Sequence, residues 1–174
     1  MNLTIERIAE SATVPSQGTQ GAAGYDLYAC LHDPEGALRP VVSELPSKFR
    51  GLSVSGPAAR AVEGPRLILR HGGLAAIPLG FKTEFDAGWH ALIQARSGIA
   101  ARGIIVPNAP GLIDSDYRGE WMVLLLNLSG TPFVIGHGDR IAQVRFCETI
   151  EPEITHGIVG TTCRGEGGFG STGR

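Results

Sequence analysis

The segment at residues 108–121 holds the side chains best suited to chemistry in this sequence. It reads NAPGLIDSDYRGEW and combines an amide, carboxylates, an aromatic ring and a cation. Largely apolar runs flank it at 102–106 and 122–126, so the pattern predicts the loop and early return strand of a β-hairpin. Reactive groups often lie on loops held between strands. The alternative is a solvated turn, in which an aspartate caps the backbone and Arg118 pairs loosely with a carboxylate.

The rest of the chain must hold this segment, and its pattern predicts an all-β fold. The 174 residues predict a single domain, 1–174. The 25 glycines and 11 prolines imply many turns and short elements, which favours a small β-barrel or sandwich. Helical turns are predicted only at 97–102 and 57–62. Strands are predicted at 3–8, 25–30, 66–71, 74–79, 89–95, 104–106, 121–128, 133–135 and 140–146.

Charge and cysteine usage exclude several classes of protein. Fifteen Lys and Arg against 17 Asp and Glu give a net charge of -2, so no general attraction to nucleic acid is expected. The three cysteines and five histidines lack metal-ligand spacing, and we expect reduced, structural cysteines and no zinc site. No apolar signal-peptide region or membrane-length run is found, which predicts a cytoplasmic protein that does not bind membranes.

Residues 31–65 differ from the flanking sequence. They contain five prolines, mixed charges and only scattered large apolar residues, so we predict an insertion here. A connection of this length is usually functional or disordered rather than part of the core. Two interpretations stay open: a tolerated surface excursion, or an arm that binds a protein partner.

The C-terminal segment 164–174, RGEGGFGSTGR, is glycine-rich and predicts a mobile arm. Its glycines satisfy a dinucleotide-binding pattern, but no strand of a βαβ unit precedes them, and Arg174 stands where a Walker A loop requires Lys. Its backbone N–H groups and arginines could still wrap anionic oxygen atoms. The alternative is a frayed tail without a function.

Five sequence stretches together resemble the five motifs of the trimeric dUTPases, the dUTP pyrophosphatases. Each stretch is weakly specific alone, but five in the same order are highly specific, and they span nearly the whole chain outside the insertion. The stretches are AGYDLY at 23–28, ARSGIA at 95–100, the segment 108–121, GDRIAQ at 138–143, and the C-terminal arm.

The resemblance implies a distorted β-barrel or jelly-roll subunit in a homotrimer whose active sites are shared between chains. The implied reaction converts dUTP and water to dUMP and pyrophosphate with Mg²⁺, which limits uracil in DNA and supplies dUMP for thymidylate synthesis. Asp114 would be the general base that holds the attacking water. Asp26 would hold Mg²⁺ through its water shell. Asp116 and Arg118 would only shape the hairpin.

The same resemblance implies a set of substrate contacts. Arg96, Ser97, Gly98 and Gln143 would bind phosphates, whereas Asp139 and Arg140 would fix the loop or the subunit contacts. Uracil and deoxyribose would be contacted by Asn108, by the backbone around Leu112, Ile113 and Met122, and by Tyr117, which leaves no room for a 2′-hydroxyl. Phe169 would stack on uracil, and the arm would close through Arg164, Gly170 and Ser171.

Two further functions remain open on the sequence. A dCTP deaminase would share the fold and a related Arg-Ser motif, but Asp114 and the complete arm favour the hydrolase. A regulatory protein on the dUTPase fold would bind a partner through residues 31–65.

Overall fold

A computed structural model of the chain describes residues 1–33, 60–62 and 66–168, with only the backbone described at 60–62. These residues form short strands and a single helical turn, which confirms the all-β prediction. The elements are β1 (Leu3–Arg7), β2 (Tyr25–Tyr28), β3 (Arg60–Val62), β4 (Arg66–Leu69), β5 (Leu74–Pro78), β6 (Phe81–Phe85), β7 (Trp89–Gln94), α1 (Ser97–Ala100), β8 (Ile104–Ile105), β9 (Gly111–Asp114), β10 (Met122–Asn127), β11 (Phe133–Gly136) and β12 (Arg140–Glu148).

The strands form four small antiparallel sheets around one core. Their orders are β1-β6, β5-β10-β8, β11-β4-β3 and β2-β12-β7-β9. Inward-facing side chains alternate along the strands, as in β6, where Phe81, Thr83 and Phe85 are buried. Trp121 is completely buried and packs 5.5 Å from the Phe81 ring, centroid to centroid.

The four-stranded sheet positions four of the five motif stretches. Asp26 on β2 lies opposite Gln143 on β12, and Gln143 in turn lies opposite Gln94 on β7. At the other edge, Asp114 on β9 lies opposite His90 on β7. The second motif follows β7 directly and forms α1. The sheet therefore brings segments that are far apart in sequence onto one surface.

The predicted hairpin around residues 108–121 is only partly right. The flanking runs do pair, because Ile105 on β8 lies opposite Leu126 on β10. However, the connecting segment contains a strand of its own, β9, which pairs with β7 in a different sheet. The sequence analysis also missed β6, although its alternating sequence FKTEF carried the signal of a half-buried strand.

Both ends of the predicted insertion, residues 31–65, include residues that contribute to the described fold. Leu31 is completely buried, and residues 60–62 form an edge strand on β4 rather than the predicted helical turn. Residues 34–59 and 63–65 lie outside the described part of the chain. The three cysteines are unpaired: Cys30 is buried, Cys147 is half-buried and Cys163 is exposed. No helix among the described residues is long and apolar enough to cross a membrane.

Candidate active site

A cluster of opposite charges lies where β7 ends and α1 begins. The Arg96 Nε donates to one carboxylate oxygen of Asp26 at 2.8 Å, and the Arg140 Nη1 donates to the other at 3.2 Å. A further bond of 3.3 Å joins the Arg96 Nη1 to the backbone oxygen of Arg140. The Asp26 side chain is 13% exposed, whereas that of Arg140 is 52% exposed, so only the bond from Arg96 is partly shielded from solvent. We call Asp26, Arg96 and Arg140 the arginine cluster.

The arginine cluster borders open, cationic space. A cavity of about 350 Å³ is lined by Arg96, Gly98, Arg102 and Arg140, among others. Gly98 would meet nothing within 4 Å if it carried a Cβ, so the backbone here is accessible to a ligand. Ser97 and Gly98 are exposed at the start of α1. The first backbone bond of this turn runs from the Ile99 N–H to the Arg96 carbonyl, after these two residues. Anionic groups can therefore approach guanidinium and backbone N–H donors together.

Gln143 supports this end of β7 from the neighbouring strand. Its Nε2 donates to the backbone oxygen of Ala95 at 3.0 Å, next to Arg96. Its Oε1 lies 3.0 Å from the position that a Cβ on Gly24 would occupy, so the glycine allows the close approach. The side chain predicted to reach a phosphate thus lies beside the arginine cluster.

At the other end of β7, Asp114 closes strand β9 and begins a turn. Its carbonyl accepts the Tyr117 backbone N–H at 3.2 Å, and its side chain is exposed. Arg118 folds back and donates to the Ser115 carbonyl at 2.7 Å, as expected for a residue that shapes the turn. The carboxylate of Asp114 therefore faces solvent from a turn that is fixed by local bonds. We call residues 114–120 the acidic turn.

Tyr117 lies on the acidic turn and is held there by its hydroxyl. The Tyr117 Oη donates to the Glu120 carbonyl at 3.1 Å, while 39% of the residue remains exposed. Partial burial, and then the nearby charge of Glu120, raise the pKa of the phenol. The hydroxyl therefore stays protonated at neutral pH and presents an uncharged ring edge to a ligand.

Asn108 precedes β9 and is exposed. Its Nδ2 lies 3.1 Å from the place where a Cβ on Gly111 would be, so the amide packs against the start of the strand. The peptide bond between Ala109 and Pro110 is cis. Along β9, Leu112 is exposed and Ile113 is half-buried, and Met122 is half-buried at the start of β10.

The arginine cluster and Asp114 lie far apart within one chain. Asp114 lies opposite His90, and Arg96 follows six residues later along extended backbone. At about 3.3 Å per residue, the separation is roughly 20 Å. This exceeds the few ångströms over which a base and a phosphate-binding group must cooperate. A single chain therefore brings together the predicted phosphate-binding residues but separates them from the predicted base.

The segment after β12 leaves the body of the chain in an extended path. Its start is tied by the Thr149 N–H, which donates to the Gly88 carbonyl at 2.8 Å. Beyond that, Ile150, Ile154 and Ile158 are 87%, 83% and 103% exposed. Arg164 folds onto its own turn, donating from Nε to the Gly167 carbonyl at 2.8 Å. The predicted contacts of Phe169, Gly170 and Ser171 lie outside the described residues.

The described residues test whether Mg²⁺ fits this site. They contain no group of three or more His, Cys, Asp or Glu side chains that could hold a metal by themselves. Asp26 is a single carboxylate beside an anion-binding surface. Mg²⁺ commonly keeps several waters and takes one or two carboxylates together with substrate phosphates, so one aspartate suits it. The arrangement fits a metal that arrives with a polyphosphate.

Sequence reasoning missed two contacts of the site. It assigned Arg140 to the loop or to subunit contacts, yet Arg140 also pairs with Asp26. The pairing of β2 with β12 brings the first and fourth motifs together, and no local pattern in the sequence indicates this contact. It also overlooked Glu120, whose Oε1 accepts the Gly80 N–H at 2.8 Å. For Asp139 the predicted loop role is confirmed, since its Oδ2 accepts the Gly136 N–H at 2.6 Å.

Comparisons with known proteins identify the family of the chain. The family model for dUTPase matches residues 65–173. A deoxyuridine 5'-triphosphate nucleotidohydrolase of Leptospira interrogans is 34% identical over 99% of both chains. One from Anaplasma marginale is 39% identical over 92% of this chain and 88% of its own. A Staphylococcus bacteriophage 80alpha dUTPase solved with dUpNHpp superposes with a TM-score of 0.72, at 18% identity and 99% coverage of each chain. The chain therefore belongs to the dUTPase family.

Proposed function

We propose that this chain hydrolyses dUTP to dUMP and pyrophosphate and so limits uracil in DNA. The observation that carries the proposal is the four-stranded sheet, which bears the arginine cluster and Gln143 at one end and the Asp114 turn at the other. Family membership supports the same substrate. The cationic end of the sheet can bind the triphosphate, and the acidic end carries the carboxylate that can act as the base in its hydrolysis.

Asp114 is the general base in this proposal. Its exposed carboxylate takes a proton from a water that attacks the α-phosphorus, and the bond to the bridging oxygen breaks as pyrophosphate leaves. Because phosphoryl transfer depends mainly on positioning and charge stabilisation, the fixed turn matters as much as basicity. Tyr117 lies three residues away and packs against the deoxyribose. Asn108 and the backbone of β9 recognise the uracil.

The cationic end binds the phosphates. Arg96 supplies a guanidinium, Ser97 and Gly98 supply a hydroxyl and backbone N–H groups, and Gln143 supplies an amide. Asp26 would hold Mg²⁺ through its water shell, and the ion would supply positive charge beside the triphosphate. Asp26 and Arg96 pair with each other in the free chain, so this pair would have to loosen when substrate binds. Arg164, Phe169, Gly170 and Ser171 of the arm complete the site.

We propose a homotrimer because one chain cannot complete the site alone. The separation of roughly 20 Å between Asp114 and Arg96 requires the base of one chain to face the arginine cluster of another. The exposed isoleucines of the segment after β12 supply an apolar surface that a neighbouring chain would cover. Light scattering tests this assembly: the expected mass is about three times the 18.3 kDa of the chain. A monomer that is fully active would contradict it.

The activity is tested by incubating the protein with Mg²⁺ and either dUTP or dCTP, and by following pyrophosphate and ammonia. We expect pyrophosphate from dUTP and no ammonia from dCTP. Ammonia from dCTP would instead identify a deaminase on the same fold. Asp114→Ala should abolish most of the pyrophosphate release, and full activity in this variant would contradict the assignment of the base.

A further inference from the structure

Gly119 lies beneath the Tyr117 ring. A Cβ built on Gly119 would lie 2.5 Å from Cζ and 2.9 Å from Cε2 of Tyr117, and closer still to its hydroxyl oxygen. Real Cβ atoms do not approach other heavy atoms this closely. Any side chain at position 119 must therefore displace the ring.

The backbone does not explain why glycine occupies this position. The residues in left-handed conformations include Gly80 and Gly103, but Gly119 is not one of them. An alanine could adopt the backbone of Gly119 without strain. The ring of Tyr117 is what excludes a side chain here.

The far end of the acidic turn is fixed to the body of the protein. Glu120 accepts the Gly80 N–H at 2.8 Å, and the next residue, Trp121, is completely buried. The Leu79 N–H donates to the Trp121 carbonyl and the Trp121 N–H donates to the Phe81 carbonyl, each at 3.0 Å. The Glu120 carbonyl, which accepts the hydrogen bond of the Tyr117 hydroxyl, therefore has a fixed position.

Tyr117 consequently has two supports: a hydrogen bond at its hydroxyl and close contact beneath its ring. We propose that Gly119 is a positioning residue for sugar selection, because its missing side chain lets the Tyr117 ring lie low on the turn. This inference rests on the proposed role of Tyr117 against the deoxyribose. A displaced ring would no longer fill the space that a 2′-hydroxyl would need.

The first test is sugar selectivity, measured as the ratio of kcat/KM for dUTP to that for UTP. Small displacements of a positioning group cost up to about 100-fold, so Gly119→Ala should lower the ratio about 10- to 100-fold. Gly130→Ala is the matched control, because Gly130 is exposed, is not left-handed and would meet nothing within 4 Å. It should leave the ratio unchanged. A ratio within about twofold of wild type in Gly119→Ala would overturn the proposal.

A double-mutant cycle separates this inference from the proposed function. Gly119→Ala should lower Tm in the wild-type background but not in the Tyr117→Ala background, where no ring is left to displace. Equal Tm losses in both backgrounds would overturn the contact between the two residues. If the cycle shows coupling but Tyr117→Ala itself keeps full sugar selectivity, the role of Tyr117 against the sugar fails, and the proposal for Gly119 fails with it.

Discussion

The arginine cluster and the acidic turn lie about 20 Å apart, beside opposite ends of β7, and are stabilised in different ways. Asp26, Arg96 and Arg140 come from three separate elements and are joined by ion pairs between side chains. The acidic turn is stabilised mainly by bonds between near neighbours in sequence, such as that from Tyr117 to Glu120, and its far end is tied to the body by the bond from Gly80 to Glu120. The proposed phosphate-binding residues are therefore brought together by tertiary structure, whereas the proposed base is presented mainly by local structure.

The surroundings of the two regions also carry opposite charge. The cavity beside the arginine cluster includes three arginines in its lining. A second cavity, of about 460 Å³, lies beside the acidic turn and includes Glu84, Asp86 and Asp116. Two copies of the chain are thus electrostatically suited to bring one region of each together. Substitutions in one region should therefore differ in their effects from substitutions in the other.

The largest effect is expected at the acidic turn. Asp114→Asn keeps the shape of the side chain but removes its basicity, and general-base catalysis contributes about 10²- to 10⁴-fold in rate. We expect kcat for dUTP to fall in that range while binding of a non-hydrolysable dUTP analogue is retained. Asp116→Asn, two residues away, should stay within a few-fold of wild type. Equal losses in the two variants would show that charge rather than a specific base matters.

A smaller effect is expected at the arginine cluster. Asp26→Asn removes the anion between Arg96 and Arg140 and the proposed contact with the hydrated metal. Loss of an outer contact to a metal typically costs about 10- to 100-fold in affinity, so the Mg²⁺ concentration for half-maximal activity should rise by that factor. Asp86→Asn is the control, because it removes a carboxylate beside the other cavity. An unchanged Mg²⁺ requirement in Asp26→Asn would contradict the metal assignment.

The smallest expected effect is a pH dependence of stability that arises at His137, in the loop that precedes Arg140. The Leu31 N–H donates to the Nδ1 of His137 at 3.1 Å, and this bond requires an unprotonated nitrogen. Burial, then the nearby charge of His32, lower the pKa of His137, although a bond with the Ser11 backbone opposes them. Because the unfolded chain binds this proton more readily, the contribution to stability is complete above about pH 6.5. It is lost as pH falls through the lower, folded pKa.

Thermal unfolding between about pH 7 and pH 5 measures this contribution. Wild type should lose a few degrees more of Tm on acidification than His137→Gln, which does not titrate. His156→Gln, in the exposed segment after β12, controls for the substitution itself. An identical pH dependence of Tm in wild type and His137→Gln would contradict the prediction.

The sequence predicted the architecture better than it predicted contacts between distant segments. Alternation and turn residues located β7, β10 and β12, because each strand carries its own pattern. The four residues of β9 lie between Pro110 and polar turn residues, so their pairing with β7 depends on tertiary structure. The bond from Arg140 to Asp26 joins residues 114 positions apart and has no local signal. Likewise, nothing local indicates that Gly119 lies beneath a ring.

In the proposed homotrimer, Asp114 of one chain acts on phosphates bound by Arg96 of another. Asp114→Asn and Arg96→Ala chains, each nearly inactive alone, can be unfolded, mixed in equal amounts and refolded together. If sites are shared, random assembly leaves an intact pair of residues in about a quarter of them. We expect the mixture to recover about that share of wild-type dUTP hydrolysis. A mixture no more active than its two components would show that both residues serve the same site from one chain, and would contradict the account.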